Sequence, residues 1–117
     1  MAIIRITTGA DGQSHFEDLE PRLEPLEDMS EQGTLYEGSG IVIRRFDPNR
    51  SNDWHHAPGR YCVFTVSGAV EIEVGDGSTR HLGAGDILIA EDTTGQGHIT
   101  REVGDEPRVS IFVPLPE

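Results

Sequence analysis

The sequence is short of much that other classes of protein need. It has one cysteine, Cys62, so no intramolecular disulfide forms, and a lone thiol fits a reducing compartment. Nine basic residues stand against twenty-one acidic ones, a formal charge of −12. Such a chain is repelled by nucleic-acid phosphates and anionic membranes, so neither is an expected partner. No apolar run approaches the ~20 residues of a membrane span. The opening MAIIRITTGADG lacks the apolar core of a signal peptide, and a cytoplasmic location is expected. Nor does any segment of useful length carry apolar residues at helical spacing. What the chain has in quantity is turn formers: 14 glycines and 7 prolines, as a protein of short strands requires. The acids are spread along the chain, which makes them a solubility feature rather than a tail. At 117 residues the length suits one domain with one core.

Residues 2–7 read as a short strand, with Ile4 and Ile6 on one face and Ile3 on the other. Residues 15–19 read as an edge strand anchored by Phe16. The acidic segment 20–33 carries Pro21 and Pro25, which suit neither a helix interior nor a central strand. An ordered surface wrap with Leu23 and Leu26 tucked in is expected there. Residues 40–46 are β-branched on both faces, as a strand covered on each side would be, and 47–52 form a loop with strong turn chemistry. Val70, Ile72 and Val74 alternate with Glu71 and Glu73, the clearest half-buried strand, and Gly75, Asp76 and Gly77 turn it into a hairpin. Further strands follow at 79–82, 87–90, 98–103 and 108–113. Strands spaced by roughly 8–12 residues indicate an all-β sandwich or small barrel. Closure or a jelly roll would also remove exposed sheet edges.

The stretch DWHHAPGRYCVFTVSG, residues 53–68, gathers two histidines, a tryptophan, an arginine and a tyrosine at the head of an apolar strand. A lone His98 follows a second glycine-marked turn. Around Gly68, the Asp76 and Gly77 hairpin and the turn Gly83, Ala84, Gly85, Asp86, the chain resembles a cupin. Cupins are double-stranded β-helix barrels of the RmlC-like jelly-roll superfamily. The resemblance covers roughly residues 34–113 and implies one cupin domain over 1–117, with 1–33 adding N-terminal strands and the wrap. The family's metal motif is degenerate here. Counting back from Gly68, the glutamate position falls on Tyr61, and HH replaces the His-x-His pair. His98 stands about two residues late, a shift that Gly95 and Gly97 can absorb.

Adjacent strand residues point to opposite faces, so only one of His55 and His56 enters the barrel. The candidate catalytic residues are His55, His98 and Tyr61, with Trp54, His56 and Arg60 as candidate ligand contacts. His55, His56 and His98 are the candidate ligands of a divalent metal (iron, manganese, nickel or zinc), since mononuclear sites draw on imidazole and carboxylate. Glu91 and Asp92 either flank the pocket or cap their loop, and are taken as capping residues. Cys62 is expected to pack rather than react, and His15 and His81 to lie on the surface.

Three functions compete. A small-molecule enzyme of isomerase, lyase or dioxygenase type would use the metal as a Lewis acid or oxygen site, or exchange protons through histidine and tyrosine. A binding or sensory module would hold a small organic ligand unchanged. A structural barrel would do neither. The resemblance also implies a homodimer, formed through sheet faces or by exchange of the strand at 2–7.

Overall fold

The structure, a computed structural model, describes residues 1–117, and every regular element is a strand. In chain order these are β1 (Ile3–Thr8), β2 (Ser14–Asp18), β3 (Glu24–Pro25), β4 (Glu31–Gln32), β5 (Val42–Phe46), β6 (Ser51–His55), β7 (Tyr61–Ser67), β8 (Ala69–Glu73), β9 (Thr79–Leu82), β10 (Ile87–Glu91), β11 (His98–Val103) and β12 (Arg108–Pro114). One sheet has the order β2-β1-β10-β7-β12-β5, and a second has β6-β11-β8-β9. From β5 onward the chain passes back and forth between the sheets, and this alternation is the jelly-roll winding of a double-stranded β-helix. The expected all-β class and barrel architecture are what the chain adopts.

Strand parity explains the two cores. Ile4 and Ile6 of β1 face the interior with Val70, Ile72 and Val74 from the alternating run and Leu82 from β9. Ile3 faces outward with Cys62, Ile87 and Ile89, under a cover supplied by Leu115 and flanked by Tyr36. Ile89 pairs with Cys62 and Leu88 with Val63, so the outward and inward rows of β10 and β7 match across the ladder. Burial raises the pKa of the Cys62 thiol to about 11, and the residue packs as expected.

Three expectations fail. Residues 20–33 are not a wrap: Leu23 and Leu26 are exposed, and the segment holds only the two-residue ladder of β3 and β4. Two prolines and a run of acids leave too little apolar surface to dock it. β5 is not covered on both faces, because it is the edge of its sheet, and Ile41 and Ile43 are 73% and 71% exposed. The loop after it is shorter than 47–52, since pairing with β11 extends β6 back to Ser51. β1 pairs in parallel with β10, and β2 lies outside it at the sheet edge.

Candidate functional site

Between the sheets lies a cavity of about 400 Å³, within the usual range for small-molecule sites. Parity along β7 sends Tyr61, Val63 and Thr65 into it, as the alternation of that strand predicts. His55, His98 and Tyr61 all line it, whereas Trp54, His56 and Arg60 do not.

A β-bulge decides which residue of β6 enters. Between His98 and Thr100 of β11, the partner on β6 moves from His55 to Asn52, one residue more than a regular ladder allows. Unbroken alternation from Asn52 would have brought Trp54 inside. The extra residue passes that place to His55 and leaves Trp54 39% exposed at the surface. His56 is then exposed too, with its Nδ1 donating to its neighbour's carbonyl, that of Ala57.

Gly97 delivers His98 to the same spot. It has φ +77°, and a Cβ there would overlap the carbonyl of His55, so only glycine lets the two strands approach. The rings of His55 and His98 consequently lie 4.5 Å apart between centroids, tilted by 59°.

Behind His98 stands a residue that sequence reasoning had assigned to loop capping. Asp92 is 0% exposed, and its Oδ2 accepts from His98 Nδ1 at 2.6 Å and from Ser14 Oγ at 2.5 Å. Its backbone carbonyl accepts from Ala57, which ties the loop to the segment after β6. Because a carboxylate only accepts, His98 donates through Nδ1, which leaves Nε2 as the ring nitrogen free for a ligand. His55 donates its Nδ1 proton to the Asp53 carbonyl at 2.7 Å, which also leaves its Nε2 as an acceptor. Burial, reinforced by the neighbouring His98 and Arg50, pushes the pKa of His55 below the ordinary histidine value.

Glu91, one residue earlier, faces the other way. It accepts from Arg5 and Arg60, each at 2.8 Å, and from Tyr36 at 2.9 Å. Burial raises its pKa, but these three bonds outweigh burial and hold the carboxyl below its ordinary value. Arg60 is thereby committed to Glu91 and to the carbonyl of Pro116, outside the cavity.

Sequence reasoning also missed three arginines. Arg44 and Phe46 on β5 share a face, and Arg108 on β12 pairs with Phe46, so the interior position of Phe46 brings both arginines to the cavity, Arg108 buried and Arg44 exposed at its border. Arg50 joins them from the residue before β6. Their guanidinium carbons lie 4.6, 3.9 and 4.8 Å from the Phe46 ring centroid for Arg44, Arg108 and Arg50. A parity argument anchored on Phe46 would have found Arg44.

The donor set does not fit the divalent metal that the resemblance implied. Only two of the three candidate histidines meet, and no group of three His, Cys, Asp or Glu side chains is placed to hold one ion. Asp92 Oδ2 is already engaged by Ser14 and His98, and the arginines on the cavity wall oppose a cation.

No protein-family model matches the sequence, and no curated protein does. Solved structures do. An uncharacterized conserved protein with a double-stranded β-helix domain from Klebsiella pneumoniae is similar at 30% identity and TM-score 0.52, over 65% of this chain and 65% of that one. The chain thus spans just under two thirds of that protein's length. A conserved protein of unknown function from Streptococcus pyogenes is similar at 22% identity and TM-score 0.50, over 73% of this chain and 71% of that chain. A protein from Neisseria meningitidis is similar at 13% identity and TM-score 0.52, over 83% of this chain and 84% of that chain. Together with the jelly-roll strand order, these neighbours show that the chain adopts the double-stranded β-helix, cupin-like fold.

Proposed function

We propose that the barrel binds a small organic molecule between His98, His55 and Tyr61 and moves a proton on it, an isomerase- or lyase-type reaction run by side chains. The observation that carries this is the buried line from Ser14 through Asp92 to His98, ending on a largely apolar cavity. A buried carboxylate on Nδ1 holds the histidine in one tautomer and orientation, and stabilises the imidazolium formed when Nε2 takes a proton. In that step a C–H or O–H bond of the ligand breaks, an N–H bond forms at His98, and the electron pair stays on the ligand. Return of the proton at a second position completes an isomerisation. Tyr61, edge-on to Phe112 at 5.8 Å, supplies a hydroxyl from the opposite sheet. Thr100 adds a buried hydroxyl with no partner in the protein.

The test is exchange in deuterated water. Small carbonyl compounds and carboxylic acids are screened by thermal shift, and those that stabilise the protein are followed by proton NMR. Wild-type protein should wash deuterium into a bound compound, and His98→Gln should bind it without exchange. Compounds that bind wild-type protein but show no exchange would sink the catalytic part and leave a binding module. Metal content after purification without a nickel column should be far below one equivalent, and a stoichiometric ion lost in His98→Ala would restore the metalloenzyme.

A homodimer is proposed on the outer face of β5, β12 and β7. Register places Ile43, Ile111 and Phe64 in one row there, and Ile43, Phe64 and nearby Val66 are exposed. Sedimentation should give a dimer for wild-type protein and a monomer for Phe64→Glu; a monomeric wild-type protein at micromolar concentration ends the proposal.

A further inference from the structure

The arginine cluster adds a chemical class to the ligand. Arg44, Arg50 and Arg108 surround one ring, Phe46, and two of them, Arg108 and Arg50, share one acidic partner, Glu102. Arg108 takes that carboxylate through Nε at 2.7 Å and a second nitrogen at 3.1 Å, and also donates to Ser110 Oγ. Arg50 reaches the same carboxylate only at 3.8 Å. Arg44 forms no ion pair and no side-chain hydrogen bond. Three positive charges on the cavity wall thus face a single carboxylate, and Arg44 has no acidic partner, in a chain whose net charge is −12. Like charges within a few ångströms repel, more so beside apolar walls. Burial, then repulsion from Arg50 and Arg108, holds the pKa of Arg44 below the ordinary arginine value, with no carboxylate pulling the other way.

We propose that this cluster binds the carboxylate of a small organic acid, with Arg44 as its principal contact and the apolar body of the acid lying along Phe46 and Phe112 toward the histidines. A planar guanidinium matches a carboxylate through two parallel hydrogen bonds. A phosphate offers more acceptor oxygens than one free and one loosely held guanidinium satisfy, and an all-strand barrel supplies no helix N-terminus to help. The assignment rests on the cavity being the ligand site, and binding is read separately from proton transfer.

Isothermal titration tests it with benzoate and cinnamate, their methyl esters, and phenyl phosphate. For wild-type protein each acid should bind at least about tenfold more tightly than its ester, a difference of about 1.4 kcal/mol. Arg44→Gln should remove that preference while leaving ester binding unchanged and without lowering the melting temperature, and Arg44→Lys should recover part of it. His98→Gln should keep the acid-over-ester preference, so a failure of the proton-transfer proposal does not imitate a failure here. The proposal is overturned if neither acid binds at about 10 mM, if esters bind as well as acids, or if Arg44→Gln binds the acids like wild type. Tighter binding of phenyl phosphate than of benzoate overturns the carboxylate assignment.

Discussion

The histidines and the arginines line one cavity, yet the protein treats the two groups differently. On the histidine side both rings are held by hydrogen bonds, although Asp92 Oδ1 and the Thr100 hydroxyl remain buried without a partner. His98 is held by Asp92, Asp92 by Ser14, and His55 by the Asp53 carbonyl, so each Nδ1 is used and each Nε2 is left. The arginine side is left open, with three guanidinium groups around one ring and one carboxylate among them. Arg44 is exposed and Arg50 half-buried, so water reaches both, yet three positive charges gathered on one carboxylate beside a cavity favour an anion that enters it. The histidine side fixes geometry for chemistry, and the arginine side waits for charge from outside.

The comparison breaks most severely at Gly97. Gly97→Ala adds a Cβ into the His55 carbonyl at φ +77° and should lower stability by more than about 3 kcal/mol, since an αL alanine is strained even without the clash. Urea melting checks this, and loss of the contacts between the His55 and His98 rings in NMR spectra should accompany it. Asp92→Ala should follow at about 3 kcal/mol, because it strands the Ser14 hydroxyl and the His98 N–H in a buried place. Arg108→Met should destabilise by about 2 kcal/mol, since Arg108 is the buried, paired member of its cluster and Glu102 would lose its main partner. If the Asp92 and Arg108 variants melt like wild type, the contrast between the two clusters is wrong.

How far the sequence shows these two sides depends on parity. The alternation of Val70, Ile72 and Val74 and the glycine turns were enough to place the barrel, and parity on β7 placed Tyr61, Val63 and Thr65 inside. His55 against Trp54 and His56 was not decidable, because the bulge on β6 is a matter of register with β11 and leaves no mark in composition. Asp92 was overlooked as a loop residue. Continuing the β10 alternation from inward Ala90 past outward Glu91 returns Asp92 to the interior, so a signal was present. The arginines were hidden by the expectation that a strand's charges only face water, whereas Arg44, exposed like Arg45, also borders the cavity. Segment 20–33 misled for the opposite reason, since Leu23 and Leu26 are apolar without a surface to meet.

The smallest effects separate the two sides by the variable that moves them. His55 has a pKa held below the ordinary value by burial, next to His98, Asp92 and Arg50. Above pH about 6.5 it is neutral in both the folded and the unfolded chain. As pH falls below that value the unfolded chain takes up the proton first, so stability falls until the lower folded pKa is passed. The fall in urea midpoint between neutral pH and pH about 5 should therefore be shallower in His55→Gln than in wild type, and equal slopes would show that His55 is not held neutral. The guanidinium groups do not titrate in this range, so Arg44→Gln should leave the pH slope alone. Salt should reverse the pattern. Ions that screen the repulsion among Arg44, Arg50 and Arg108 should raise the wild-type melting temperature by more than that of Arg44→Gln, and should leave His55→Gln indistinguishable from wild type. A salt response unchanged by removing Arg44 would mean its charge is already balanced and that the two sides differ less than their contacts imply.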